Sequence, residues 1–137
     1  MSTDQKSSQH PGALTCRVLL VDDDALQLRV REAVLREAGL EVCVATTAES
    51  ALALLRGESV GSSIGVIITD HVLPGMTGAE FVQQLRFLQP RVPVIVITGM
   101  PDVEGEYTGM NVVFRQKPCP PAELIALMRH SLEKRAA

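Results

Sequence analysis

Five short apolar segments alternate with segments of helical periodicity, and this alternation constrains the fold of the 137-residue chain more than any other feature. Each apolar segment has the length of a β-strand, and four of the five are rich in valine and isoleucine. The segments are Arg17–Val21, Glu41–Ala45, Ile64–Thr69, Val94–Thr98 and Asn111–Phe114. Strands that alternate with helices form a parallel sheet covered on both faces. The sequence therefore predicts an α/β fold, a (βα)5 three-layer sandwich.

Capping residues mark the ends of the intervening helices. Residues 25–38 form the first helix, with Leu26, Val30 and Val34 along one side and Gly39 as the C-cap. The other helix starts are predicted at the Thr46/Glu49 and Thr77/Glu80 capping boxes and at Pro121. The fourth helix is predicted to be short or irregular, because residues 102–109 contain Gly105 and Gly109.

Composition and charge exclude several classes of protein. The formal charge is −3 and basic residues cluster only at the very end of the chain, so we expect no nucleic-acid surface. No segment reaches the length of about 20 apolar residues that a membrane helix needs, and the N-terminus has no signal peptide. We interpret residues 1–15 as a flexible tail and residues 16–137 as one domain.

The three cysteines give no sign of a disulfide framework or a zinc site. Cys16, Cys43 and Cys119 are odd in number, far apart and without a CxxC pair. Cys43 is interpreted as a small core residue on a strand. This cysteine usage predicts a protein of the reducing cytosol.

Polar residues follow the apolar segments at their C-terminal ends. Asp22, Asp23 and Asp24 follow the first segment, Asp70 follows the third, Thr98 ends the fourth, and Lys117 follows the fifth. In an open α/β sheet these ends share one edge, where ligands bind. We therefore expect these side chains to meet in one pocket, with Asp24 acting as a helix N-cap.

Converging carboxylates require a compensating positive charge. Two carboxylates about 4 Å apart repel by about 4 kcal/mol at an effective dielectric constant near 20. Mg²⁺ with oxygen ligands, assisted by Lys117, would offset this repulsion. Acids, a cation, a lysine and a hydroxyl suit phosphoryl transfer, in which a carboxylate can act as the nucleophile. Taken singly, each residue has a plainer role, such as capping a helix or carrying a solvated charge.

Four motifs lie at these strand ends in a fixed order. They are Val18–Asp24 (VLLVDDD), Asp70–Gly78 (DHVLPGMTG), Val96–Gly99 (VITG) and Lys117–Pro118. Together they resemble the receiver domain of two-component response regulators, especially the single-domain chemotaxis type. The resemblance covers about residues 16–135, and the second motif is its most specific part. It implies a flavodoxin-like fold with sheet order 2-1-3-4-5 and a cytoplasmic, bacterial phosphorelay protein.

The resemblance also implies a role for each matching residue. Asp70 would accept a phosphoryl group from a sensor histidine kinase or a phosphotransfer protein. Asp22 and Asp23 would organise Mg²⁺, with Asp23 as a direct ligand, and Asp70 and the backbone carbonyl of Val72 would complete the shell. The residues implied to sense the phosphoryl group are Thr98 and Lys117, with Phe114 as the aromatic switch.

The chain departs from the family pattern in two places. Eighteen residues (99–116) separate Thr98 from Lys117, about three fewer than is common in the family, and the loss falls on the fourth helix. Val72 and Met100 are apolar where hydrolysis needs a positioned water, so we expect slow self-dephosphorylation. His71 is interpreted as a histidine at the rim of the pocket.

Two other functions are alternatives to a phosphorylated receiver domain. One is an interaction module of the same fold that is never phosphorylated. The other is a phosphatase with an aspartate nucleophile, although Val72 stands where such an enzyme usually carries a second acid. We expect signalling through a downstream protein rather than enzymatic turnover. The sequence does not identify that protein, and it leaves open whether the chain is a piece of a longer hybrid kinase.

Overall fold

A five-stranded parallel sheet forms the centre of the protein. The computed structural model describes residues 16–136, so the predicted tail, residues 1–15, lies outside the described residues. The sheet strands are β1 (Val18–Val21), β2 (Val42–Ala45), β3 (Val66–Thr69), β6 (Val94–Thr98) and β7 (Val112–Gln116). Their spatial order is β2-β1-β3-β6-β7, which is the predicted 2-1-3-4-5 order of a flavodoxin-like α/β fold. A separate two-stranded hairpin, β4 (Val72–Leu73) and β5 (Met76–Thr77), follows β3.

Helices cover both faces of the sheet. They are α1 (Ala25–Glu37), α2 (Ala48–Arg56), α3 (Glu58–Ser63), α4 (Gly78–Leu88) and α5 (Pro121–Ala136). Side chains of α1 and α5 share one core cluster with one face of the sheet, and side chains of α2 and α4 share another with the opposite face. The predicted three-layer sandwich is confirmed. The side chains of β1, β3 and β6 are buried on both faces of the sheet, which explains why these strands are continuous apolar runs in the sequence.

Helix α1 has the predicted N-cap, but its C-cap is Ala38, one residue before the predicted Gly39, and it buries a different face. The Asp24 carboxylate accepts hydrogen bonds from the backbone N–H groups of Leu26 and Gln27, both at 3.1 Å. At the other end, Gly39 has a φ of +91°, as a Schellman C-terminus requires. The buried residues are Leu28 and Leu35, whereas Leu26 is 73% exposed, so the predicted apolar side is wrong. The helix carries leucine or valine on more than one side, and packing against the sheet selects one of them.

The N-cap of α2 differs from the prediction by one residue. Thr47 is the cap, and its hydroxyl accepts the backbone N–H of Ser50 at 3.0 Å. The Thr46/Glu49 capping box is therefore wrong, because the chain is still extended at Thr47. The Thr77/Glu80 capping box of α4 is confirmed in both directions. Helix α3 and the hairpin were not predicted, because both are too short to give a periodic pattern.

The fourth helix of the predicted unit is a single 3₁₀ turn, Glu104–Tyr107. This confirms the expectation from the glycine-containing sequence. The turn remains attached to the domain because Val103 and Tyr107 are buried in the core cluster that includes α4.

Two of the cysteines are paired, contrary to the sequence-based expectation. The structure contains a disulfide between Cys16 and Cys43, with Cα atoms 5.7 Å apart. The pair is 27 residues apart in the sequence and carries no local signature. Cys43 lies on β2, which pairs in parallel with β1, and Cys16 lies two residues before β1. Within residues 16–136, no helix is both long and apolar enough to cross a bilayer.

Two leucines of α1 provide a matched test of the packing. Leu35 is fully buried and Leu26 is largely exposed. We expect Leu35→Ala to lower the free energy of unfolding by about 2–5 kcal/mol, because it removes buried methyl groups and leaves a cavity. We expect Leu26→Ala to change it by less than about 0.5 kcal/mol. Urea denaturation of both variants measures the difference, and equal losses would contradict this packing.

Candidate functional site

The C-terminal ends of β1 and β3 bring three carboxylates together. Because β1 and β3 are adjacent and parallel, with Val21 opposite Thr69, the residues that follow them lie side by side. Asp22, Asp23 and Asp70 each place a carboxylate oxygen within 4.8 Å of the others. Asp22 and Asp70 are buried, and Asp23 is exposed. The predicted clustering of acidic side chains at one edge of the sheet is thus present in the structure.

Lys117 reaches this cluster from the loop after β7. Its Nζ lies 2.9 Å from Asp70 Oδ2 and 3.9 Å from Asp22 Oδ2. The backbone N–H of Lys117 donates to the carbonyl of Thr98 at 3.0 Å, which ties this loop to the end of β6. Lys117 therefore joins the acidic side chains at the ends of β1 and β3, and a backbone hydrogen bond links its loop to the end of β6. The predicted contact of the Thr98 side chain with this cluster stays a prediction.

Further hydrogen bonds fix the carboxylates. Asp70 Oδ1 accepts the backbone N–H of His71 at 2.6 Å, and Asp22 Oδ1 accepts the backbone N–H of Asp24 at 2.9 Å. The Arg31 guanidinium donates to Asp22 Oδ2 at 3.0 Å. Sequence reasoning missed Arg31. The detectable signal was a charged residue three positions after Leu28 and four before Leu35, on the side of α1 that packs against the sheet.

The charge and chemistry of the cluster suit a hard divalent cation. Three carboxylates and the cations Lys117 and Arg31 leave a formal charge of −1. The available ligands are carboxylate oxygens, one of them on the exposed Asp23 where waters can complete a coordination shell. The donor set therefore fits Mg²⁺. Val72 begins the hairpin two residues after Asp70, and the role of its carbonyl as a ligand stays a prediction.

Thr98 and Phe114 lie on the same face of the sheet. In the parallel pairing of β6 with β7, Val96 is opposite Phe114 and Thr98 is opposite Gln116, so all four side chains point to one side. The Thr98 hydroxyl accepts the backbone N–H of Met100 at 3.0 Å. Thr98 and Phe114 both line a cavity of about 240 Å³. The geometry thus leaves space beside both residues to which a switch role was assigned.

His71 is buried, so its interpretation as a rim residue is wrong. It is 4% exposed, and its Nδ1 shares a hydrogen bond of 2.7 Å with the Tyr107 hydroxyl. The Tyr107 ring also packs edge-on against Phe114, with ring centroids 5.0 Å apart. The side chain of His71 turns inward because the 3₁₀ turn supplies a buried polar partner, the Tyr107 hydroxyl, for its imidazole.

Gly78 makes room for this contact. A Cβ at Gly78 would collide with the Tyr107 hydroxyl and would lie 2.7 Å from the carbonyl oxygen of Asp70 and 2.9 Å from the Cα of His71. Gly78, the second glycine of the DHVLPGMTG motif, therefore lets Tyr107 approach His71. The pair of His71 and Tyr107 left no sequence signal beyond the presence of a single tyrosine in the chain.

A protein-family model, described as the response regulator receiver domain, matches residues 18–129. The chain belongs to this family. Among curated proteins, this receiver domain is 30% identical over 132 residues to the two-component response regulator ARR14 of Arabidopsis thaliana. It is 35% identical over 122 residues to the hydrogenase transcriptional regulatory protein HoxA of Cupriavidus necator. The matched regions make up 94% and 85% of this chain, but only 34% and 24% of the two relatives.

Solved structures show the same architecture. A CheY-like receiver domain protein from Methanospirillum hungatei superposes with a TM-score of 0.80 at 27% identity, covering 90% of this chain and 98% of the other. Chemotaxis response regulator CheY4 of Vibrio cholerae superposes with a TM-score of 0.73 at 28% identity, covering 87% and 100%. The resemblance inferred from the four motifs is confirmed at the level of family and fold.

The single tyrosine gives a direct test of the His71–Tyr107 contact. Burial, and then the negative charges of Glu106 and Asp70, raise the pKa of Tyr107 well above its usual value. Because the chain has one tyrosine and no tryptophan, ultraviolet absorbance reports the ionisation of Tyr107 alone. We expect the Tyr107 hydroxyl to stay protonated at about pH 11 in the folded domain, and to ionise near pH 10 in the denatured chain.

Because the pKa of Tyr107 is raised in the folded state, the stability of the fold depends on pH in the alkaline range. The stability that this group contributes is fully present below about pH 10 and is lost as the pH rises through the higher folded-state value. A Tyr107→Phe variant should lack this part of the alkaline loss of stability. Tyrosinate absorbance that appears near pH 10 in the native protein would contradict the buried contact.

Proposed function

We propose that this receiver domain accepts a phosphoryl group on Asp70 in a Mg²⁺-dependent two-component phosphorelay, and that the phosphoryl group switches a protein-binding surface. The observation that supports this most directly is the position of the Lys117 ammonium, 2.9 Å from Asp70 Oδ2, beside the carboxylates of Asp22 and Asp23. A nucleophilic carboxylate held between a lysine and two further acids suits phosphoryl transfer, which depends mainly on positioning and charge stabilisation.

The transfer is a displacement at phosphorus. A carboxylate oxygen of Asp70 attacks the phosphorus of a phosphohistidine, the P–N bond breaks, and its electron pair returns to the imidazole. The product is an acyl phosphate on Asp70 and a free histidine on the donor. Lys117 stabilises negative charge on the phosphoryl oxygens, because its Nζ already lies within hydrogen-bond distance of the acceptor carboxylate.

The acidic residues account for the expected metal dependence. Asp23, which is exposed, would be a direct ligand of Mg²⁺, together with Asp70 and the carbonyl of Val72, while Asp22 would act from the more buried side. When bound, Mg²⁺ supplies positive charge that offsets the developing charge on the phosphoryl oxygens.

The switch is assigned to Thr98 and Phe114. An acyl phosphate on Asp70 brings a charge of about −2 and new acceptor oxygens, toward which the Thr98 hydroxyl can turn from its bond with the Met100 N–H. That movement leaves space next to the cavity that Thr98 and Phe114 line, where the phenyl ring can reposition. Phenylalanine has no hydroxyl, so its inward position leaves no polar group unpaired.

The proposed donor is a sensor histidine kinase or a phosphotransfer protein. A donor must bring its phosphohistidine to Asp70 beside Lys117. The adjoining surface of α1 is apolar, with Leu26 and Val30 both more than half exposed. The proposed downstream partner is a protein. Since the chain spans about a quarter to a half of the length of the curated relatives it matches, their whole-protein activities are not transferred to it.

Labelling of Asp70 tests the proposal. We expect incubation with acetyl phosphate and Mg²⁺ to add the mass of one phosphoryl group, and peptide mapping to place it on Asp70. Asp70→Asn should abolish the label because the amide is not a nucleophile, and removal of Mg²⁺ by a chelator should prevent labelling of the unmodified protein.

Two outcomes would decide against the proposal in different ways. A folded, magnesium-loaded protein whose Asp70 and neighbouring amides do not respond to beryllofluoride by NMR would favour an interaction module that is never phosphorylated. Continuous release of phosphate from external esters would favour a phosphatase, since a receiver domain is labelled once and then stalls.

The rim of the pocket predicts a long-lived acyl phosphate. Val72 and Met100 are 55% and 47% exposed, and neither can orient a water molecule for attack on phosphorus. We expect slow phosphate release from the purified phosphoprotein. We expect Val72→Asn to accelerate it by about tenfold, equivalent to about 1.4 kcal/mol of activation free energy. Val72→Ile is the matched control and should leave the rate unchanged. Release by the unmodified protein as fast as in a rapid chemotaxis regulator would contradict this expectation.

A further inference from the structure

Arg31 is a second cation at the acidic site, and the proposed phosphoryl chemistry does not use it. Its guanidinium donates to Asp22 Oδ2 at 3.0 Å, and the two side chains are only 15% and 1% exposed. A second N–H of the guanidinium lies 3.3 Å from Gln27 Oε1, one turn earlier on α1. The contact is therefore an enclosed ion pair with an oriented guanidinium, unlike the pairing of two flexible surface side chains.

The fold holds Arg31 in this place. The residue lies three positions after Leu28 and four before Leu35, so it shares the face of α1 that these two buried leucines anchor against the sheet. Its side chain reaches the end of β1, where the chain turns from Asp22 into α1. Packing of α1 thus brings a fixed positive charge to the acidic cluster at Asp22.

Both oxygens of Asp22 are already engaged. Oδ1 accepts the Asp24 N–H at 2.9 Å. Oδ2 accepts from Arg31 and lies 3.9 Å from the Lys117 ammonium. An ionised carboxylate has further lone pairs, so metal binding next to it remains possible. However, a divalent cation there would share the carboxylate with Arg31, and the two positive charges repel each other.

We propose that Arg31 is a positioning residue that competes with Mg²⁺ for Asp22 and thereby sets the metal affinity of the site. In the metal-free protein, Arg31 neutralises a carboxylate that is otherwise buried beside two others. When the metal binds, Arg31 raises the metal concentration needed for half saturation. The inference rests on the proposed function in one respect, namely that Mg²⁺ binds at the acidic cluster.

Competition predicts two effects of opposite sign in one variant. In Arg31→Gln, the metal-free protein should have a lower thermal midpoint, because Asp22 loses its partner. The same variant should bind Mg²⁺ at least about tenfold more tightly, a lower limit set by the repulsion of a divalent and a monovalent cation about 6 Å apart in a water-like dielectric. Saturating Mg²⁺ should restore most of the lost thermal midpoint. A purely structural role for Arg31 would lower the midpoint without tightening metal binding.

The experiment is a Mg²⁺ titration of the unphosphorylated protein, followed by amide chemical shifts, together with thermal unfolding with and without the metal. Arg29→Gln is the matched control, since it removes the same charge from an exposed position of α1 and should change neither quantity. Arg31→Lys keeps a cation and should bind Mg²⁺ nearly as weakly as the unmodified protein. If Arg31→Gln does not fold without metal, Gln27→Ala replaces it. That variant loosens the guanidinium and should shift the affinity in the same direction by a smaller factor.

The outcomes separate this inference from the proposed function. Equal or weaker Mg²⁺ binding by Arg31→Gln, or by Gln27→Ala where that variant replaces it, would overturn the inference. If Asp70 is still labelled in a metal-dependent way, the proposed function would stand. Tighter binding by the variant in a protein that is never labelled on Asp70 would uphold the competition and overturn the phosphorelay proposal. Absence of Mg²⁺ binding in both the unmodified protein and the variant would overturn both.

Discussion

The rest of the structure depends on holding three carboxylates close together at one edge of the sheet. Asp22, Asp23 and Asp70 place oxygens within 4.8 Å of one another, and two of these side chains are buried. Such an arrangement is unfavourable unless cations lie beside it. Lys117 from the loop after β7 and Arg31 from α1 supply them in the described residues, so the loop and the helix are both tied to the acidic cluster.

The register of the sheet makes this convergence possible. β1 and β3 are neighbours although α1, β2, α2 and α3 separate them in the sequence, and their last residues, Val21 and Thr69, are paired. The Asp70 N–H donates to the Val21 carbonyl and the Asp22 N–H donates to the Ala45 carbonyl, so the ladder continues into the acidic residues. A shift of register by one residue would turn alternate side chains to the other face and separate the carboxylates.

The parts of the protein that follow from repeating patterns could be predicted from the sequence. Buried parallel strands are continuous apolar runs, and the polar residues at their ends must share an edge, so the clustering of Asp22, Asp70 and Lys117 was predictable. The sheet order was predicted from the family resemblance. The Cys16–Cys43 disulfide was missed because it depends on tertiary proximity between segments with no common local signal. The buried side of α1 was misassigned because apolar residues on two sides of the helix compete, and only docking selects one.

The buried partners beside the predicted site were missed for a related reason. The local sequence around His71 does not determine whether its side chain points outward or inward. It points inward because the hydroxyl of Tyr107, 36 residues later, lies 2.7 Å from its Nδ1. Because the fourth helix is shortened to one 3₁₀ turn, this contact helps to hold the segment against the domain. Few backbone hydrogen bonds hold such a turn, so its buried side chains, Val103 and Tyr107, must anchor it. Tyr107 packs against Phe114 and shares a hydrogen bond with the ring of His71, and the backbone N–H of His71 donates to Asp70 Oδ1. Tyr107 therefore joins His71, the residue next to Asp70, to Phe114 by direct side-chain contacts.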